Sequence, residues 1–116
     1  MAHCRKVEEV IHWILGCPAA NENHRRMVDL LQRHRATLEG RNLKYTVSMY
    51  IRLNAKLDDG NDWDEILHQK KWFTLQPTDD AFLVSTGIGG DLVAEKEVTD
   101  DQVRAELEAA IHFLAS

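Results

Sequence analysis

From Leu43 to Leu57 every odd position is apolar: Leu43, Tyr45, Val47, Met49, Ile51, Leu53, Ala55 and Leu57. The even positions between them hold Lys44, Thr46, Ser48, Tyr50, Arg52, Asn54 and Lys56. Side chains alternate faces along a β-strand, so a sustained period of two specifies one face in a core and one face open. A helix cannot satisfy it, because helical faces recur every ~3.6 residues. The pattern predicts one long strand over 43–57, with Val47, Met49, Ile51 and Leu53 buried. Thr46, Ser48, Arg52 and Asn54 belong on its open side.

The segments on either side follow a different period. Val7, Val10, Ile11 and Ile14 fall at helical spacing and predict an amphipathic helix near residues 5–15, ended by Gly16. Pro18 is suited to the first position of a second helix. Met27, Leu30, Leu31 and Leu38, with His34 between, form its stripe, and Gly40 is its stop. Together the two make an αα-hairpin. Toward the other end, Thr99-Asp100-Asp101-Gln102 has the form of a capping box. Val103, Leu107, Ala110, Ile111 and Leu114 then predict a final helix.

Between these ends, Asp58-Asp59-Gly60-Asn61 contains the Asp-Gly pair favoured in hairpin turns. Residues 62–70 fit a short helix or a returning strand. Lys71–Leu75 suits a strand that Pro77 stops. Phe82–Thr86 and Leu92–Val98 read as two more strands around Gly87-Ile88-Gly89-Gly90. The expected fold is α+β, a single domain over residues 1–116. Its form is a two-layer sandwich: an antiparallel sheet of three to four strands, with the αα-hairpin and the C-terminal helix on one face.

Several chemistries are disfavoured by spacing. Cys4, His12, Cys17 and His24 match no paired zinc pattern, and the cysteines sit near opposite ends of one helix. Asp58, Asp59, Asp62, Asp64 and Glu65 crowd one loop, but Gly60 comes too early for a calcium loop and no acid closes it. The glycine-rich stretch at 87–90 leads into a strand instead of a helix, and no phosphate-loop lysine follows. No nucleophile elbow or His-Glu-x-x-His motif occurs. The expectation is therefore no metal, no cofactor and a non-catalytic chain. Two cysteines, the absence of a long apolar segment and acids early in the chain suggest a cytoplasmic setting without membrane contact.

Charge is the remaining signal. The net charge is -5, yet residues 1–58 carry +4 and residues 59–116 carry -9. In a small domain the two halves interleave, which predicts mutual neutralisation over much of the surface. Arg25, Arg26, Arg33 and Arg35 on the second helix would serve a nucleic-acid binder, but a third supporting helix and a basic overall charge are missing. A pocket between sheet and helices would instead indicate a small enzyme or ligand-binding domain. The preferred expectation is a protein-binding module, of the inhibitor, immunity, adaptor or small-chaperone kind, acting through an acidic surface. Asp62, Trp63, Asp64 and Glu65 are its candidate contacts: an aromatic anchor in an acidic rim.

Overall fold

A computed structural model describes residues 2–18, 20–48, 50–58 and 70–116. Among them the chain forms six strands and four helices in an α+β fold. The order is β1 (Ala2–Cys4), α1 (Val7–Leu15), α2 (Glu22–Arg33), α3 (Arg35–Leu38), β2 (Leu43–Val47), β3 (Leu53–Leu57), β4 (Lys71–Pro77), β5 (Phe82–Ile88), β6 (Asp91–Val98) and α4 (Asp100–Ala115). All six strands join one antiparallel sheet in sequence order, β1 to β6. No helix among the described residues is long and apolar enough to cross a membrane.

Three or four strands were expected, and the difference has two sources. Ala2–Cys4 adds a short edge strand that sequence periodicity is too brief to reveal; it pairs with β2 through Cys4 opposite Tyr45. The long alternating segment is also two strands, β2 and β3, folded back as a hairpin. Val47 faces Leu53 in that hairpin, and the two are an even number of residues apart. Both arms therefore keep odd positions inward, so the two strands share one parity. Val47, Ile51 and Leu53 are buried as the pattern requires, Arg52 is exposed, and Thr46, Ser48 and Asn54 are half-buried. Met49 lies outside the described residues. Lys44 departs from the open-face expectation: it is buried, although its partner across the hairpin is Lys56.

The bend contains no glycine, proline, asparagine or aspartate. Ser48 N–H donates to Arg52 O at 3.2 Å and Ile51 N–H donates to Ser48 O at 3.0 Å. Ile51 itself sits at φ 58°, a conformation unfavourable for a β-branched side chain, and is only 2% exposed. Burial of its side chain offsets the backbone cost.

Two helix boundaries also move. The second helix begins at Glu22, not at Pro18, because Asn21 caps it: its Oδ1 accepts from Asn23 N–H at 2.9 Å and His24 N–H at 3.3 Å. Asn21 N–H in turn donates to His24 Nδ1 at 3.2 Å. This reciprocal cap satisfies more helix-end donors than a proline start could. At His34 the backbone leaves helical geometry (φ -107°, ψ 18°), dividing the expected helix into α2 and α3. The final helix is as expected; Gln102 Oε1 accepts from Thr99 N–H at 3.1 Å, and Val103, Leu107, Ala110, Ile111 and Leu114 are buried.

One apolar cluster joins the pieces. Val10, Ile14, Met27, Leu30 and Leu31 from the first helices meet Val47, Leu53, Phe73, Leu75 and Phe82 from the sheet and Val103 and Leu107 from α4. The alternate row, Thr46–Asn54–Thr74–Ser85–Glu95, is polar across five strands. On this polar side Trp72 of β4 stands opposite Gly87 of β5. A Cβ at residue 87 would lie 2.1 Å from Trp72 Cζ2, so only glycine lets the indole rest there. The ring's Nε1 donates to Gly89 O at 2.7 Å. Gly89 opens the tight β5–β6 turn at φ 60°, a first-position left-handed residue as in type II′ hairpins.

Candidate functional site

Asp62, Trp63, Asp64 and Glu65, the partner contacts expected from sequence, lie outside the described residues. So do most of the acids weighed for calcium. The described part of the acidic half is concentrated elsewhere, along β6 and the turns beside it.

β6 is the last strand in the sheet order, so its outer backbone groups meet no further strand among the described residues. Every residue from Asp91 to Glu97 is exposed, and Val98 alone turns into the core. Leu92 is 57% exposed and Val93 54% exposed, large values for apolar residues. Register explains why both lie open. Gly87 pairs with Leu92 and Thr86 with Ala94, which leaves Val93 as an inserted residue, a β-bulge. A bulge bends and twists its strand locally and re-aims the neighbouring side chains.

The charges on this edge are mostly acidic. Lys96 is occupied by Glu106 of α4 at 2.8 Å. Glu95 accepts from Ser85 Oγ at 3.0 Å, and Glu97 from Thr78 Oγ1 at 3.2 Å. These hydrogen bonds orient the two carboxylates without neutralising them. Asp79 and Asp80 in the β4–β5 turn, and Asp100 and Asp101 at the start of α4, extend the acidic character past the end of β6.

The arginines considered for nucleic acid are spent individually. Arg25 pairs with Glu22 at 3.3 Å. Arg26 donates to Thr78 O and to Ala81 O (2.9 Å to the latter) and lies 5.0 Å from the centre of the Phe82 ring. It thereby ties α2 to the β4–β5 turn. Arg33 meets Asp29 at 3.0 Å and Asp100 at 3.7 Å, and Arg35 meets Glu39 and Glu8. Of these ion pairs only Arg33–Asp100 joins the two halves of the chain; the others lie within the first half.

The cysteines and histidines have local roles. Cys4 is buried in β1, where burial and then Glu9 push its thiol above the ordinary value. Cys17 Sγ donates to Trp13 O at 3.4 Å. His24 serves the α2 cap. His34 Nε2 is buried with no hydrogen-bond partner. Burial, then Arg33 and Arg104, hold its pKa below the ordinary 6.5, against a smaller opposing pull from Asp100. Among the described residues no three His, Cys, Asp or Glu side chains are placed to share a metal ion.

Compared with known protein families, curated proteins and solved structures, the chain matches none.

Proposed function

We propose that this chain is a non-catalytic protein-binding module that receives an extended, basic segment of a partner protein along β6. The observation that carries the reading is the outer strand itself, exposed from Asp91 to Glu97, with Leu92 and Val93 bare at one end and acids at the other. Strand addition draws affinity from backbone hydrogen bonds and specificity from alternate side chains. Basic residues of a partner would complement Asp91, Glu95 and Glu97 and speed association. The bulge and the charges discourage indiscriminate edge-to-edge pairing, which favours a selected partner over self-aggregation. In this reading the domain is a two-layer sandwich with the helices on one face of the sheet, leaving the β6 edge free. Asp62, Trp63, Asp64 and Glu65 belong to the same proposal as a second acidic contact.

The test is a titration of the labelled protein with a peptide alternating lysine and valine, beside its glutamate counterpart, followed by NMR. The basic peptide should shift the amides of residues 91–97 and slow their hydrogen exchange, and the acidic one should not. Reversing Glu95 and Glu97 to lysine together should weaken binding at least about tenfold, most strongly at low salt. Binding that leaves the β6 amides untouched, or equal binding of both peptides, refutes the proposal.

A further inference from the structure

A cleft of about 490 Å³ opens between the start of α1, the end of α3 and the first residues of β2. Arg5, Lys6, Arg35, Arg41, Glu39 and Tyr45 are among its walls. Its acids are already engaged by cations. Asp58 is held by Arg5 at 2.9 Å, and Glu8 and Glu39 both bind Arg35. What remains is a surplus of donors. Lys6 has no ion-pair or hydrogen-bond partner for its ammonium among the described residues. Arg41 uses only Nη2 on Glu108, at 3.2 and 3.0 Å, which leaves Nε and Nη1. No side chain caps α1, so the N–H groups of Val7 and Glu8 stand at the cleft wall at the positive end of a nine-residue helix.

Tyr45 supplies the independent observation. It is only 2% exposed and stands on the inward-facing row of β2, and its hydroxyl has no hydrogen-bond partner among the described residues. The residue lines the cleft, and its hydroxyl feels the charge of Glu39 on the same wall. Burial first, and Glu39 second, raise its pKa, so the phenol stays a neutral donor. A bound acceptor would give this hydroxyl a hydrogen bond that the described residues do not supply.

We propose that this cleft binds a small molecule through a phosphate group, held by the α1 N-terminus, Lys6, Arg41 and the Tyr45 hydroxyl. The free donors exceed the roughly four acceptor sites of a carboxylate, which favours phosphate. The volume exceeds that of phosphate alone and leaves room for the rest of a small ligand, within the roughly 300–1,000 Å³ usual for such sites. This inference stands apart from the β6 edge and does not depend on it.

The experiment uses the whole chain with inorganic phosphate, a simple phosphate monoester and acetate, each at matched ionic strength against chloride. Phosphate and the monoester should shift the Val7 and Glu8 amides saturably and raise the melting temperature; the monoester should bind more tightly. Lys6→Gln, at an exposed position, and Tyr45→Phe should each weaken binding about tenfold, as loss of a hydrogen bond to a charged group does. If Tyr45→Phe fails to fold, Lys6→Gln with Arg41→Gln carries the test. Acetate binding as tightly as phosphate, no saturable shift at Val7 and Glu8, or affinity unchanged in these variants overturns the proposal.

Discussion

Replacing Gly87 with alanine adds one methyl group where the structure has no space for it. The new Cβ would stand 2.1 and 2.4 Å from Trp72 Cζ2 and Cε2, and 2.6 Å from Asp91 O. The indole can swing away, but then loses its 2.7 Å hydrogen bond to Gly89 O. Asp91 O belongs to the backbone, so the β5–β6 turn must shift as well. Overpacking of this kind costs about 1–3 kcal/mol. The lost hydrogen bond adds about 1 kcal/mol. The sum, about 2–4 kcal/mol, corresponds to a fall in Tm of roughly 8–16 °C for a domain of this size. Urea unfolding of the wild type, Gly87→Ala, Trp72→Val and the double variant isolates the cause. If the ring is the obstacle, the double variant is more stable than the two single losses predict, by about 1–2 kcal/mol. Additive losses, or a Gly87→Ala protein within about 0.5 kcal/mol of wild type, refute the steric account.

Other outcomes follow from features already described. Ile51→Asp should cost several kcal/mol by placing a carboxylate at a 2% exposed site, and Arg52→Asp beside it well under about 1 kcal/mol; denaturant melts compare the two. Arg26→Lys should lose about 2 kcal/mol, because an ammonium cannot reach both Thr78 O and Ala81 O while lying over Phe82, and hydrogen exchange in the 78–81 turn should rise. His34 has a lowered folded-state pKa, so its contribution is present above 6.5 and is lost as pH falls through the folded value. The Tm should therefore drop more steeply below pH 6.5 in the wild type than in His34→Gln.

The helices were legible in the sequence because apolar spacing and caps act locally. Val103 to Leu114 behind Thr99 and Gln102 needs no tertiary information. The hairpin that pairs Val47 with Leu53 was not legible, since strands of equal parity keep the same alternation and Ile51 occupies a position where glycine or asparagine would have signalled a turn. β1 is too short for any period to show. The sites were harder still. The exposure of Leu92 and Val93 depends on which strand is outermost and on a one-residue register shift, both long-range outcomes. The cleft around Tyr45 brings together residues from 5 to 58 whose order along the chain carries no recognisable spacing. Of the counter-ions of Arg33 and Arg35, only Asp100 reflects the opposite charges of the two halves; Asp29, Glu8 and Glu39 come from the arginines' own half.

The strand order also orders events in time. From β2 to β6 each strand pairs with the next in the chain, so those ladders can form by local closure. β1 must instead wait for three helices to be placed before it meets β2. Loop closure becomes more costly with length, by about 0.6 kcal/mol per doubling, and the three residues of β1 repay little of it. This edge is therefore the last to zip and the first to fray. Cys4 sits within it, shielded in the closed state. The rate at which a thiol reagent reaches Cys4 under native conditions thus becomes a clock for local opening, ticking faster than global unfolding.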